Sequence, residues 1–158
     1  MEKRTMMETM RAAISNVMET MFFQPVQISD KDFTLQEWFS DKESLLGAKL
    51  NFTGPSSGLC YFLIPAKLMG EITANFLGLE KEETNEEQKR DTIKEALNMI
   101  GGHMFSLYDN EGTINLGIPE LIEEKNIKHY KLGEIKGDTV FIETEDSHLA
   151  AGIVTEMK

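Results

Sequence analysis

Asp91-Thr-Ile-Lys-Glu95-Ala-Leu-Asn98-Met-Ile-Gly101-Gly102 is the stretch on which the reading of this chain turns. Wound as a helix at about 100° per residue, it places Ile93, Ala96, Leu97, Ile100, Met104 and Leu107 on one side. Asp91, Glu95, Asn98 and Gly102 fall on the other, each one turn from the next. The apolar side predicts burial against a sheet. The polar side then faces outward, so any substrate it serves has to be brought to it. A small-molecule enzyme places such groups inside a pocket. An outward set points to a macromolecular substrate.

The same helix fixes the fold. Lys94-Glu95-Ala-Leu-Asn98-Met-Ile-Gly-Gly-His-Met104-Phe105 can be laid beside Met10-Arg-Ala-Ala-Ile-Ser-Asn16-Val-Met-Glu-Thr-Met21-Phe22. Matching Asn16 to Asn98 sets Ala13 opposite Glu95, while a shift of one place matches Met21-Phe22 to Met104-Phe105. Around each helix the order of elements repeats. The first helix reads from about Thr5 to Phe23, with Met6, Met10, Ala13, Ile14, Val17, Met18, Met21 and Phe22 at helical spacing, and Pro25 forces an exit. Residues 26–39 carry strand-like Phe33-Thr-Leu35 and Trp38-Phe39 around acidic turns. Ala48–Thr53 and Leu59–Ile64 read as a hairpin around Gly54-Pro-Ser-Ser-Gly58. Pro65 opens a helix over Ala66–Phe76 that Gly78 closes. Thr84-Asn-Glu-Glu87 has capping-box spacing and starts the next helix near Asn85. Ile114–Ile118, Tyr130–Ile135, Val140–Thr144 and Leu149–Thr155 read as strands, the third entered through a Gly137-Asp138 turn. The prediction is a single α+β domain over residues 1–158, pseudo-duplicated over about 5–79 and 85–158. It has a mixed sheet with two long helices packed on it, and only the second copy carries the carboxylate.

Composition narrows the classes. The chain has 158 residues, 41% hydrophobic and 27% charged, which suits one globular domain with a core. A net charge of −11 argues against nucleic acid and anionic membrane surfaces as partners. No apolar run approaches the roughly 20 residues that cross a bilayer, and the N-terminal residues lack the apolar core of a secretion signal. Cys60 is the one cysteine, set in Leu59-Cys-Tyr-Phe-Leu-Ile64, and reads as a buried, inert thiol. These features predict a cytoplasmic protein.

The chemistry of the outward face is limited. The Asn98 amide donates and accepts at once, so it can orient a water. The Glu95 carboxylate can accept from a partner's cation or polarise a water. Neither supplies the positive charge that phosphoryl transfer requires, so the partner would have to bring its own metal and cation. Lys89, Arg90 and Lys94 form a local basic patch beside the face. Two successive glycines in a helix lose about 0.5–1 kcal/mol each. For Gly102 the reading is clearance for approach to Asn98, and for Gly101 it is close helix–sheet packing.

Asp91-x-x-x-Glu95-x-x-Asn98, followed by Met-Ile-Gly-Gly102, resembles the signature of the CheC/CheX/FliY chemotaxis phosphatases. The chain length and the repeated helix–strand order are also similar to that family, and a single signature in the second half resembles its CheX-like members. The resemblance implies a CheC-like fold and a two-component signalling role, in which the protein hydrolyses the aspartyl phosphate of a CheY-like response regulator. It implies that Asn98 positions the attacking water and that Glu95 contacts the regulator's lysine. Asp91 then has an accessory role. No cofactor of its own is implied, and Mg²⁺ is expected on the response regulator. A homodimer is expected, with Leu149–Thr155 as a candidate edge. The alternative is a catalytically inactive module that binds a response regulator or a flagellar-switch protein.

Other residues carry weaker signals. His103, His129 and His148 lack metal-ligand spacing, though His103 borders the buried stripe and is a candidate partner contact. Asp109-Asn-Glu-Gly112 reads as a turn, not a calcium loop, and Gly54–Gly58 as a hairpin turn, not a phosphate cradle. Trp38 reads as a core or interface residue.

Overall fold

Thr5 starts the first helix by accepting the Glu8 N–H at 3.1 Å on its hydroxyl. In a computed structural model, which describes residues 5–39, 43–109, 111–123 and 138–155, helix α1 then runs over Met6–Met21. Met10, Ala13, Ile14, Val17, Met18 and, just past the helix, Phe22 are buried as their spacing predicts, whereas Met21, expected in the same stripe, is the last residue of the helix and is 42% exposed. The helix closes through a bond from Gln24 N–H to Met18 O at 2.9 Å.

Beyond α1 the chain forms a two-residue strand, β1 (Gln27–Ile28), and a single helical turn, α2 (Leu35–Trp38). The sequence reading expects strand-like segments here, and α2 corrects it. Thr34 and Glu37 form a capping box, with Thr34 Oγ1 accepting from Glu37 N–H at 3.1 Å and Glu37 Oε1 accepting from Thr34 N–H at 2.9 Å. Those reciprocal bonds satisfy the helix-end donors and outweigh the strand preference of the aromatic residues.

The hairpin forms as predicted, from β2 (Leu45–Thr53) and β3 (Gly58–Pro65). Pro65 leads into α3 (Ala66–Leu77), which ends at Gly78 with φ 68°. A 3-10 turn over Lys81–Glu83 precedes α4, Glu86–Tyr108. The cap of α4 lies one residue later than Thr84–Glu87 spacing suggests. Asn85 and Gln88 make the capping box, and the Thr84 hydroxyl instead donates to Lys81 O at 2.8 Å. The remaining strands are β4 (Asn115–Leu116), β5 (Glu120–Ile122), β6 (Asp138–Glu143) and β7 (His148–Thr155). The strand expected over Tyr130–Ile135 lies outside the described residues.

The sheet order is β1-β6-β7-β3-β2-β4, with β5 also on β2. The architecture is α+β, as expected. Every pairing among the described residues is antiparallel, which corrects the expected mixed sheet. Parallel neighbours need a crossover between adjacent strands. Here the helical connection through α3 and α4 joins β3 to β4, and β2 lies between them. A second correction concerns Leu149–Thr155. Strand β7 is interior, paired to β3 through Cys60↔Ile153 and to β6 through Val140↔Ala151, and so offers no free edge.

The helices cover one face of the sheet, where Leu50, Phe52, Cys60, Phe62, Ile142 and Ala151 join the stripes of α1, α3 and α4. On the other face Tyr61, Leu63, Phe141 and Ala150 pack under Leu35, Trp38 and Phe39 of the α2 segment. Trp38 is therefore a core residue, and its indole N–H donates to Leu149 O at 2.7 Å.

Candidate functional site

Helix α4 is anchored by its apolar side. Ile93, Ala96, Leu97, Ile100 and Met104 are at most 1% exposed. Leu107, expected in the same stripe, is only half-buried. Asp91, Glu95, Asn98 and Gly102 are all exposed along the outer side, as the spacing predicts.

The four residues differ in how their polar groups are engaged. Asp91 lies 3.7 Å from Lys94 Nζ in an exposed i,i+3 ion pair, which contributes little to stability. Glu95 and Asn98 make no hydrogen bond or ion pair among the described residues. Their carboxylate and amide are thus both open to a partner. Of the basic patch, Lys89 pairs with Glu86 at 3.1 Å and lays its stem over Gly70, and Lys94 is held by Asp91. Arg90 has no ion pair among the described residues.

The two glycines separate cleanly. A Cβ added to buried Gly101 would lie 2.8 Å from Leu50 Cδ2, whereas one added to Gly102 would meet nothing within 4 Å. Gly101 therefore sets the distance of α4 from the sheet. Gly102 leaves the surface beside Asn98 bare. Past Gly102 lies a hollow of about 300 Å³, with Phe105, Ile114 and Leu116 in its lining and Asp109 at its rim. Burial pushes the Asp109 carboxyl up, but bonds from Ile114 N–H at 2.6 Å and the Thr113 hydroxyl outweigh it. The group is held below its ordinary value. The Asp109 carboxylate is thus already occupied, and its backbone carbonyl accepts from Gly112 N–H at 3.2 Å.

Sequence reasoning did not foresee the contact across the two long helices. Asn16 Nδ2 lies 3.3 Å from His103 Nε2, so the residue matched to Asn98 in the first half sits against the second. No local pattern announces a contact between residues so far apart in sequence. Among the other candidates, His148 packs its ring on Trp38 at 4.6 Å, and His129 lies outside the described residues. Cys60 is fully buried, and desolvation raises its thiol to about 12. Among the described residues no group of His, Cys, Asp and Glu could hold a metal ion, and no helix is long and apolar enough to cross a membrane.

The strip is thus an outward carboxylate and carboxamide one turn apart, clear of side chains on one flank. It can orient a water and accept from a cation on a docked molecule. A family model described as chemotaxis phosphatase CheX matches residues 46–142, a range that contains the strip. A crystal structure of the chemotaxis protein CheX from Vibrio vulnificus is similar at 16% identity and TM-score 0.74, with 99% of each chain covered. A CheC-like superfamily protein from Shewanella is similar at 17% identity and TM-score 0.71, covering 96% of this chain and 97% of that one. A CheX-CheY-BeF3-Mg²⁺ complex from Borrelia burgdorferi is similar at 13% identity and TM-score 0.71, covering 97% and 99%. No curated protein matches the sequence.

Proposed function

The chain belongs to the chemotaxis phosphatase CheX family, and from that premise we propose that it hydrolyses the aspartyl phosphate of a CheY-like response regulator. The observation that carries the reading is the pair Glu95 and Asn98, exposed one turn apart on α4 with neither polar group engaged among the described residues. Asn98 orients a water in line with the phosphorus, accepting from it or donating to it through the amide. The water oxygen bonds to phosphorus as the bond to the aspartate oxygen breaks. The products are dihydrogen phosphate, which keeps both protons of the water, and a free carboxylate. Glu95 accepts from the regulator's lysine and so fixes the two proteins in register. The positive charge comes from the regulator, as Mg²⁺ and that lysine. A solved complex that holds CheX with CheY and Mg²⁺ supports this division of labour. Asp91, already shared with Lys94, plays an accessory part. Gly102 provides clearance for the regulator's backbone.

The two helix–strand halves, about 5–79 and 85–158, form one domain of which only the second is competent, since Ala13 stands where Glu95 does. We place the protein in the cytoplasm with its regulator. A homodimer would join through an open sheet edge at β1 or at β4 and β5, because β7 is interior.

The test is phosphate release from acetyl-phosphate-charged regulator at equal occupancy, with and without the protein. Acceleration supports the reading. Binding without acceleration would instead identify an inactive binding module, and loss of both would sink either reading.

A further inference from the structure

Phe23 is the one non-glycine residue at positive φ among the described residues, at 54°, and it is 69% exposed. It occupies the left-handed position just past α1, where glycine or asparagine is favoured because a Cβ crowds the backbone. The closing bond from Gln24 N–H to Met18 O uses backbone atoms alone, so it does not require an aromatic there. Neither the cap nor the core accounts for this side chain. Met21, 42% exposed, adds apolar surface two residues earlier. Strain kept at an exposed aromatic is a reason to look for a partner.

Its position relative to α4 follows from two contacts. Met6 and Met7 share a hollow with Tyr108, while Asn16 meets His103, so α1 and α4 run antiparallel. Phe23 lies seven residues past Asn16 and Glu95 eight residues before His103. At 1.5 Å per residue these are advances of about 10 and 12 Å in the same direction. Phe23, just past the end of α1, is therefore about level with Glu95 of α4, and Met21 with Asn98.

Resting on the proposed function, we propose that Phe23, with Met21 beside it, is the apolar anchor that docks the phosphorylated response regulator next to the Glu95–Asn98 strip. Charge selects this occupant. The exposed carboxylates on the two helices include Glu19 on α1 and Glu95 on α4, while Asp91, one turn beyond Glu95, is paired with Lys94. They favour a partner that presents cations beside an apolar patch, as a receiver does with its Mg²⁺ and lysine. A second copy of this chain, with a net charge of −11 and the same strip, would bring like charges together. Aromatic side chains are enriched at such contacts because they bury large area with little loss of rotamer freedom.

The test compares wild type, Phe23→Gly, Phe23→Asn and, as a control at an exposed apolar residue between β4 and β5, Ile118→Ser, in steady-state dephosphorylation of the charged regulator. Wild-type turnover comes first, because its absence removes the proposed function and this inference with it. Given turnover, both Phe23 variants are expected to raise KM at least tenfold, with the loss of kcat/KM coming through KM. Ile118→Ser is expected to leave KM unchanged. Relief of the left-handed strain raises the melting temperature of Phe23→Gly by about 2–4 °C, so weaker docking by a more stable protein excludes misfolding as the cause. An unchanged KM in both Phe23 variants overturns the proposal. So does a change of oligomeric state at unchanged KM, which would make the face a self-association surface.

Discussion

Gly101 of α4 lies directly over Leu50 of β2, close enough that an added Cβ would come within 2.8 Å of Leu50 Cδ2. Leu50 is fully buried and cannot swing away without disturbing the core around it. The contact sets how near α4 sits to the sheet, and thereby the height at which Glu95 and Asn98 stand above it. Overpacking costs about 1–3 kcal/mol, while removing a helical glycine recovers about 0.5–1 kcal/mol. Gly101→Ala is therefore expected to be destabilised by about 1 kcal/mol. Gly102→Ala, with open space around it, is expected to gain about 0.5–1 kcal/mol. Chemical denaturation of the two variants checks the order. Gly102→Leu tests clearance: it should fold as well as wild type and lose phosphatase activity.

Trp38 packs on the opposite face of the sheet and bonds the backbone carbonyl of Leu149. Trp38→Phe keeps most of the ring packing but leaves the buried Leu149 carbonyl without its 2.7 Å donor. The expected loss is about 1–3 kcal/mol, measured by circular dichroism. Because the Trp38 ring lies across the sheet from α4, kcat/KM should not change.

Much of this was legible in the sequence, and what was not has identifiable causes. Helix faces are local, so the outward placement of Asp91, Glu95, Asn98 and Gly102 followed from spacing alone. The hairpin around Gly54–Gly58 and the stop at Gly78 were equally local. The turn at Leu35–Trp38 was misread because its aromatic residues suggest strand, although Thr34-x-x-Glu37 already spelled its cap. Strand order is not local. Nothing within Leu149–Thr155 says that both its edges are paired, and nothing near Asn16 announces His103. The left-handed turn at Phe23 also escaped notice, since its side chain argues against the conformation it adopts.

Asp109 couples pH to the turn that closes α4. Its carboxyl is held below the ordinary value in the folded protein, so the unfolded chain takes up a proton first as pH falls. The stabilisation is complete above the ordinary aspartate value of about 3.9. It is lost as pH drops through that value toward the folded one. Wild type should exceed Asp109→Asn in stability at neutral pH, and the two curves should converge in acid. A constant gap across that range would contradict the assignment.

Cys60 carries the opposite sign. Burial raises its thiol from 9.0 to about 12, so the folded state keeps the proton that the unfolded chain gives up. Stability should fall as pH rises above the unfolded value. The native thiol should resist an aromatic disulfide reagent at neutral pH, reacting only as fast as the protein opens. Rapid stoichiometric labelling of the folded protein would contradict this.

The Glu95–Asn98 pair is tested most directly by following phosphate release from a charged CheY-like regulator with wild type, Glu95→Ala and Asn98→Ala, while regulator binding is measured in parallel. Both side chains are exposed, so neither substitution should disturb the fold. The account predicts that Asn98→Ala still binds the phosphorylated regulator but loses release by about 10²-fold or more, the scale of a removed transition-state contact. Glu95→Ala is expected to lose both release and affinity. Release at the wild-type rate by Asn98→Ala would contradict the central claim.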